Sequence, residues 1–387
     1  MAPNSPEMSS MENVIRRYAK ELGFDIVGFT SAEPFLRDEA AAIERVRSGL
    51  MDGLPWYTEE RVHRATHPRA LLDGAKSVIS LGISYNTGEP DSTPGGSSGK
   101  VARYAWGDDY HEVIKGKLRR FVAGLQERLG TPVKTRIFVD DGPMNDRAAA
   151  ERAGVGWFGK NTNIISPGFG SWIFLAQVVT DLELAADAPL KKTCGSCVRC
   201  IDDCPTGAIV APYVIDNRRC ISFLTIELRG PIPRELRSLV GDWVFGCDIC
   251  QDVCPVNRKA TTSSEPAFQR RHDFSAPELL PLLDLDQDGF SERFRNSPIK
   301  RAKLEGLQRN VCVALGNIGD QGSAPALARA LGNRSALVRM HAAWALGRIG
   351  GEEAVAALRE ALTREDEGDV LEEIRLAIEM PVAASGD

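Results

Sequence analysis

Alternating strand and helix patterns over Met11–Thr180, two reciprocal cysteine runs and a helical repeat at a 31-residue offset predict the fold class. It is an α/β N-terminal domain, a two-cluster bacterial ferredoxin-like module and C-terminal α-helical HEAT-like repeats. A chain of 387 residues, 43% hydrophobic and 26% charged, can build two or three cored domains. That balance excludes a disordered tail, a collagen-like fibre and a small disulfide scaffold. With 47 basic and 53 acidic residues the net charge is −6, not the cation excess of a bulk nucleic-acid binder.

The elements follow in order. Ile15, Tyr18, Ala19 and Leu22 share one helical face, and Ser9 with Glu12 has capping-box spacing. Arg16-Arg17 is followed by no apolar run, so no export signal is expected. No stretch reaches the ~18 apolar residues of a membrane span, and a cytosolic chain with reduced thiols is expected. Strands are expected at Phe24–Phe29, Val78–Tyr85, Thr135–Val139 and Trp172–Val179, with helices at His111–Leu129 and Asp146–Ala153. The Gly-, Ser- and Pro-rich Asn86–Lys100 reads as a mobile surface loop, and Ser264–Asp288 as a connecting segment with short helices. NVCVALGNIG (Asn310–Gly319) and HAAWALGRIG (His341–Gly350) mark the repeat, with second helices at Ala324–Leu331 and Glu353–Leu362. So short a solenoid must pack on the preceding domain. Domains are expected at 1–185, 186–260, 261–303 and 304–380.

Eight of the nine cysteines fall between Cys194 and Cys254. Cys194-x2-Cys197-x2-Cys200-x3-Cys204-Pro205 is the bacterial ferredoxin run, whose fourth thiolate serves the other cube. Its reciprocal is Cys220 with Cys247-x2-Cys250-x3-Cys254-Pro255, the first ligand displaced upstream. The exchange assigns Cys194, Cys197, Cys200 and Cys254 to one 4Fe-4S cluster, and Cys204, Cys220, Cys247 and Cys250 to a second. Structural zinc is the rival, but zinc has no use for two reciprocal Cys-Pro endings. Cys312, on a repeat's apolar face, reads as core.

Three motifs are set aside. Gly154-Val-Gly156-Trp-Phe-Gly159 matches a dinucleotide fingerprint but follows a helix, so Gly154 reads as a helix C-terminal glycine. The near phosphate loop Gly154-x4-Gly159-Lys160 has Asn161 where a hydroxyl must hold magnesium. Asp284-x-Asp286-x-Asp288-Gly289 begins like a calcium loop but has Arg295 at its twelfth place, which leaves an Asx-rich turn. Val139-Asp140-Asp141-Gly142-Pro143 is more informative. It puts Asp140 at the end of a buried strand, where α/β sheets bind ligands and where an apolar neighbour would make a general acid. Capping of the helix near Asp146 is an equal alternative on the residues alone.

ARYAWGDDYH (Ala102–His111), VDDGPMNDRAAAERAGVGWFGKNT (Val139–Thr162), the cysteine block, CISFLTIELRG (Cys220–Gly230) and the repeats resemble the epoxyqueuosine reductase family over Met11–Leu362. The family usually has a hydroxylated residue where this chain has Asp141. The resemblance implies cobalamin beside the two clusters and reduction of epoxyqueuosine in tRNA to queuosine, with Asp140 as proton donor. It also implies Arg103, Lys160, Asn161 and Thr162 around the cofactor. Asp109-Tyr110-His111 meets Ile114 where a cobalt-binding motif needs glycine, so His111 is expected to bond locally and cobalt to stay free of histidine. The implied partners are a tRNA anticodon stem-loop and a low-potential ferredoxin- or flavodoxin-type donor, with the enzyme a monomer. Arg293, Arg295, Lys300, Arg301 and Lys303, with Arg309 nearby, form a basic stretch for tRNA; a solvated helix face is the plainer reading. A reductive dehalogenase shares the cofactor plan but expects an export signal. A pure electron carrier leaves the upstream domain unexplained.

Overall fold

The computed structural model describes residues 10–88 and 96–379. Its N-terminal domain is built on a four-stranded sheet in the order Ile26–Ser31, Ser77–Ser84, Ile173–Thr180, Thr135–Phe138. Every expected strand is present within two residues of its expected ends, but every pairing in this sheet is antiparallel. Asp140 therefore follows one strand's end, and the sheet has no common carboxyl edge. Alternation divides the central strand between two cores. Ile79, Leu81 and Ile83 face Ile15, Leu118 and Phe121, whereas Val78 faces Ala32, Phe35 and Ala149. The second face carries small residues because a helix approaches closely: a Cβ at Gly28 would lie 2.1 Å from the Ala153 carbonyl oxygen, at the end of helix Asp146–Arg152.

Helix Tyr110–Leu129 buries Ile114, Leu118, Phe121 and Leu125, is capped by Asp109, and ends at Gly130 with φ +62°. Helix Met11–Glu21 buries Ile15, Tyr18 and Ala19 as expected. Its cap is one residue later than expected: Ser10 Oγ accepts from Asn13 N–H, and Ser9 lies outside the described residues. Glu12 accepts instead from Ala185 N–H at 2.8 Å. Within the expected loop 86–100, residues 89–95 lie outside the described ones and both flanks are packed. Asn86 is buried, Ser98 bridges Glu278, and Lys100–Val101 pairs in parallel with Trp243–Phe245 of the cysteine module.

The C-terminal helices Lys303–Ile318, Ala324–Ala330, Ala336–Ile349, Glu352–Leu362 and Gly368–Ile378 form the repeats. They share one continuous core with Phe223, Leu224, Val244 and Phe245 of the cysteine module, and Cys312 is fully buried within it. Arg309 joins the two. It is 1% exposed and donates to the carbonyls of Leu224, Leu228 and Gly230 and to Asn310 Oδ1. Burial lowers its guanidinium to about 9. The basic stretch thus loses its last member to the core. Arg309→Leu should destabilise the chain by roughly 3–5 kcal/mol, because three buried carbonyls lose their donor; reversible denaturation would measure this. Among the described residues, no helix is long and apolar enough to cross a membrane.

Candidate active site

The turn after Thr135–Phe138 holds Asp140 at φ +56°, in the left-handed region that most side chains avoid. Its carboxylate is exposed, and Oδ2 accepts the Tyr110 hydroxyl at 2.7 Å. Tyr110 is buried, stacks on Phe174 at 4.2 Å and meets the Tyr104 ring edge-on. Lys115 pairs with Asp141, and Arg61 donates to the Gly142 carbonyl at 3.0 Å. A Cβ at Gly142 would lie 2.4 Å from the Phe138 ring, so this turn requires glycine. Asn145, not Asp140 or Asp141, caps helix Asp146–Arg152 by accepting from Ala148 N–H. Both aspartates are thereby left for other work.

The surroundings respond to the Asp140 charge. Burial first, then Asp140, holds the Tyr104 and Tyr110 hydroxyls well above their ordinary range, so both stay protonated donors. Burial, then Asp140, also raises the Asp146 carboxyl, whose Oδ1 is buried without a hydrogen-bond partner. Arg301, raised chiefly by its bonds to Glu227, feels Asp140 as well and lies over the Trp56 ring at 5.7 Å.

All eight clustered cysteines are free thiols of intermediate exposure. Burial pushes the Cys200 thiol up to about 11, with Cys194, Cys254 and Cys197 adding repulsion. Burial likewise raises Cys254, which feels Cys194 and Cys197. On the other side, burial raises Cys220, Cys247 and Cys250; Cys204 acts on Cys220, and Cys220 acts on both Cys247 and Cys250. Cys250 also feels Cys200 of the first run, so the two runs adjoin. Among the described residues, no three cysteine sulfurs lie within 4.8 Å of one another. A tetrahedral zinc with Zn–S near 2.3 Å would need sulfurs about 3.8 Å apart. Cys220 also lies near Arg147, the neighbour of Asp146, so the second set adjoins the Asp140 turn.

The other expected site residues divide. Arg103 is buried, donates to Asn86 Oδ1 at 2.9 Å, pairs with Asp252 and lies over Trp172. Its backbone N–H binds Asp248, whose carboxyl burial pushes up to about 7. Thr162 has φ +69°, a second strained position in the quoted segment. Lys160 and Asn161 have other immediate partners than a cofactor pocket: Lys160 Nζ binds the Gly195 carbonyl and Asn161 Nδ2 the Cys250 carbonyl. They hold cluster loops. His111 bonds locally, to Asp109 Oδ1 at 2.8 Å. Asp286 caps helix Gln287–Arg293, and Gly154 ends a helix at φ +70°, as expected. Arg295, Lys300, Arg301 and Lys303 are exposed, and Arg293 is partly so. Tyr110, Arg61 and Glu227 escaped sequence reasoning, although Tyr110 stands in the quoted ARYAWGDDYH.

Residues 65–141 match the family described as Epoxyqueuosine reductase QueG, DUF1730. Residues 193–257 match the 4Fe-4S double cluster binding domain, and residues 301–379 match HEAT repeats. The chain is 34% identical to the epoxyqueuosine reductase of Bacillus anthracis over 97% of its own length and 98% of that protein's. A crystal structure of epoxyqueuosine reductase with an epoxyqueuosine-modified tyrosine tRNA stem loop superposes with a TM-score of 0.90. That match is at 33% identity and spans 96% of this chain and 98% of the other. An epoxyqueuosine reductase from Bacillus subtilis, its aspartate catalytic loop swung out of the active site, gives the same score, identity and coverage.

Proposed function

The chain belongs to the epoxyqueuosine reductase family, and from that premise we infer that it reduces epoxyqueuosine at the tRNA wobble position to queuosine. The rival readings, a reductive dehalogenase and an electron carrier, give way to this one because the relatives match along nearly the whole chain. Two electrons and two protons turn the epoxide into an alkene and water. The observation that carries the reading is the exposed Asp140 carboxyl, fixed by Tyr110 on the face where the Cys220 set adjoins it.

Cobalamin, when bound at this face, would supply a cobalt nucleophile and a one-electron carrier. Two buried polar atoms of segment 139–162, Asp146 Oδ1 and Trp157 Nε1, lack protein partners. They offer an acceptor and a donor to an amide-rimmed ring. His111 is engaged with Asp109, which suits cobalt without a histidine ligand. Arg103 and Thr162 would lie beside the cofactor, and Lys160 and Asn161 would act on it through the cluster loops they hold. Asp140 delivers the proton to the departing epoxide oxygen, and Tyr110 keeps that carboxyl aimed. Cys194, Cys197, Cys200 and Cys254 would hold one cluster and Cys204, Cys220, Cys247 and Cys250 a second nearer Asp140, and bound there the pair would supply electrons one at a time. The enzyme works as a cytoplasmic monomer with a low-potential ferredoxin- or flavodoxin-type donor.

The anticodon loop approaches over Arg293, Arg295, Lys300, Arg301 and Lys303, its wobble base splayed out of the stack. Arg301 spans both functions, since it faces Asp140 while its neighbours face solvent. Charge reversal at Lys300 and Arg301 should weaken tRNA binding and flatten the slope of log affinity against log salt by about two. An unchanged slope would remove the patch from the interface. The activity is tested by nucleoside analysis of epoxyqueuosine-containing tRNA after anaerobic incubation with the reconstituted enzyme and a low-potential reductant. Queuosine is the expected product; its absence refutes the assignment.

A further inference from the structure

We propose that Glu39, His63 and His67 form a binding site for one divalent transition-metal ion, of which zinc is the best fit. His63 lies in helix Glu59–Thr66 and His67 just after it, four residues apart and so on one face. Glu39 enters from the first turn of helix Leu36–Arg47. Its Oε1 is 2.7 Å from His63 Nδ1 and 3.9 Å from His67 Nδ1. The imidazole centroids are 4.0 Å apart. One ligand atom from each residue lies within 4.8 Å of the others, the only such trio of His, Cys, Asp or Glu among the described residues.

Two imidazoles and a carboxylate are a donor set that zinc takes at about 2.0–2.2 Å, with a fourth position left for water. Tetrahedral ligands would then stand about 3.4 Å apart, so the Glu39–His63 pair opens from 2.7 Å and the His67 ring turns to bring Nε2 in, shifts that side-chain rotation supplies. The site is also supported from behind. A carbonyl can only accept, so the 2.7 Å contact of His67 Nδ1 with the His63 carbonyl makes that nitrogen the donor. The ring is thereby oriented and Nε2 keeps its lone pair, as metal-bound histidines require. The Glu39 side chain is only 14% exposed, and its ion-pair partners among the described residues are these two imidazoles.

The site reaches the catalytic turn through one helix. Arg61, in the same helix as His63, donates to the Gly142 carbonyl, and Asn145 N–H donates to the Ala65 carbonyl at 3.0 Å. A metal joining helix Leu36–Arg47 to helix Glu59–Thr66 therefore stiffens the support on which the Asp140 turn rests. Only this coupling depends on the reading of Asp140. The metal site itself stands apart from it.

The test uses the anaerobic holoenzyme, so that the cluster cysteines are occupied. Zinc is added, free metal is removed by gel filtration, and bound zinc is counted by elemental analysis. The wild type should retain about one zinc per chain and the His63→Gln/His67→Gln double variant none, with iron equal in both. Equal zinc in the two proteins, or none in the wild type, overturns the site. Hydrogen exchange across residues 139–146 should slow on zinc addition in the wild type alone; unchanged exchange overturns the coupling. Neither readout involves tRNA or turnover, so failure here leaves the reductase assignment untouched.

Discussion

Asp140→Asn should keep both iron–sulfur clusters and modified-tRNA binding while losing roughly 10²–10⁴-fold in turnover. The substitution is unusually clean at this position. Asparagine tolerates the left-handed backbone at φ +56°. Its carbonyl can still accept the Tyr110 hydroxyl that now binds Oδ2 at 2.7 Å. Shape, backbone and hydrogen bond persist, and the transferable proton is gone. The measurement is queuosine formed per enzyme under excess reductant, with iron content as the control. A near-normal rate would move the proton donor elsewhere, with Asp146 the next carboxyl to test, since burial already biases it toward its protonated form.

Cys254→Ala should remove the cluster shared with Cys194, Cys197 and Cys200, although it follows Cys250 by only four residues. Iron should fall from about eight to about four atoms per chain. Turnover with an external donor should fall to background, because the entry cluster is missing. Cys194→Ala should leave the same residual cluster spectrum, whereas Cys204→Ala should leave a different one. If Cys254→Ala and Cys204→Ala instead leave the same spectrum, the exchanged pairing is wrong. The grouping of Cys254 with Cys194 and Cys197, apart from Cys204, underlies the expectation.

Legibility in the sequence depended on how local each constraint is. Cluster ligation was legible because three-residue steps and Cys-Pro endings impose their geometry within a dozen residues. The repeats were legible because their apolar faces recur. Strand direction was not, since alternating strands and helices look alike whether the pairing is parallel or antiparallel. The bonds of Lys160 and Asn161 were not legible, because their carbonyl acceptors lie 35 and 89 residues away. Arg309 read as part of a basic surface because nothing nearby shows that three carbonyls about 80 residues upstream enclose it. Asp140 was visible as a strand-end carboxylate. That it does not cap the following helix turned on Asn145, whose capping role only the folded turn displays.

The parallel pairing of Lys100–Val101 with Trp243–Phe245, together with the bond from Arg103 N–H to Asp248, locks the cysteine module to the catalytic domain through main chain. Electron tunnelling decays exponentially with separation, so a joint that breathed by a few ångströms would make each transfer event erratic. A backbone ladder at that joint holds the gap constant and limits the nuclear rearrangement that accompanies each electron. With redox groups bound on both sides of this joint, the speed of delivery would be set by their potentials more than by thermal motion between the domains.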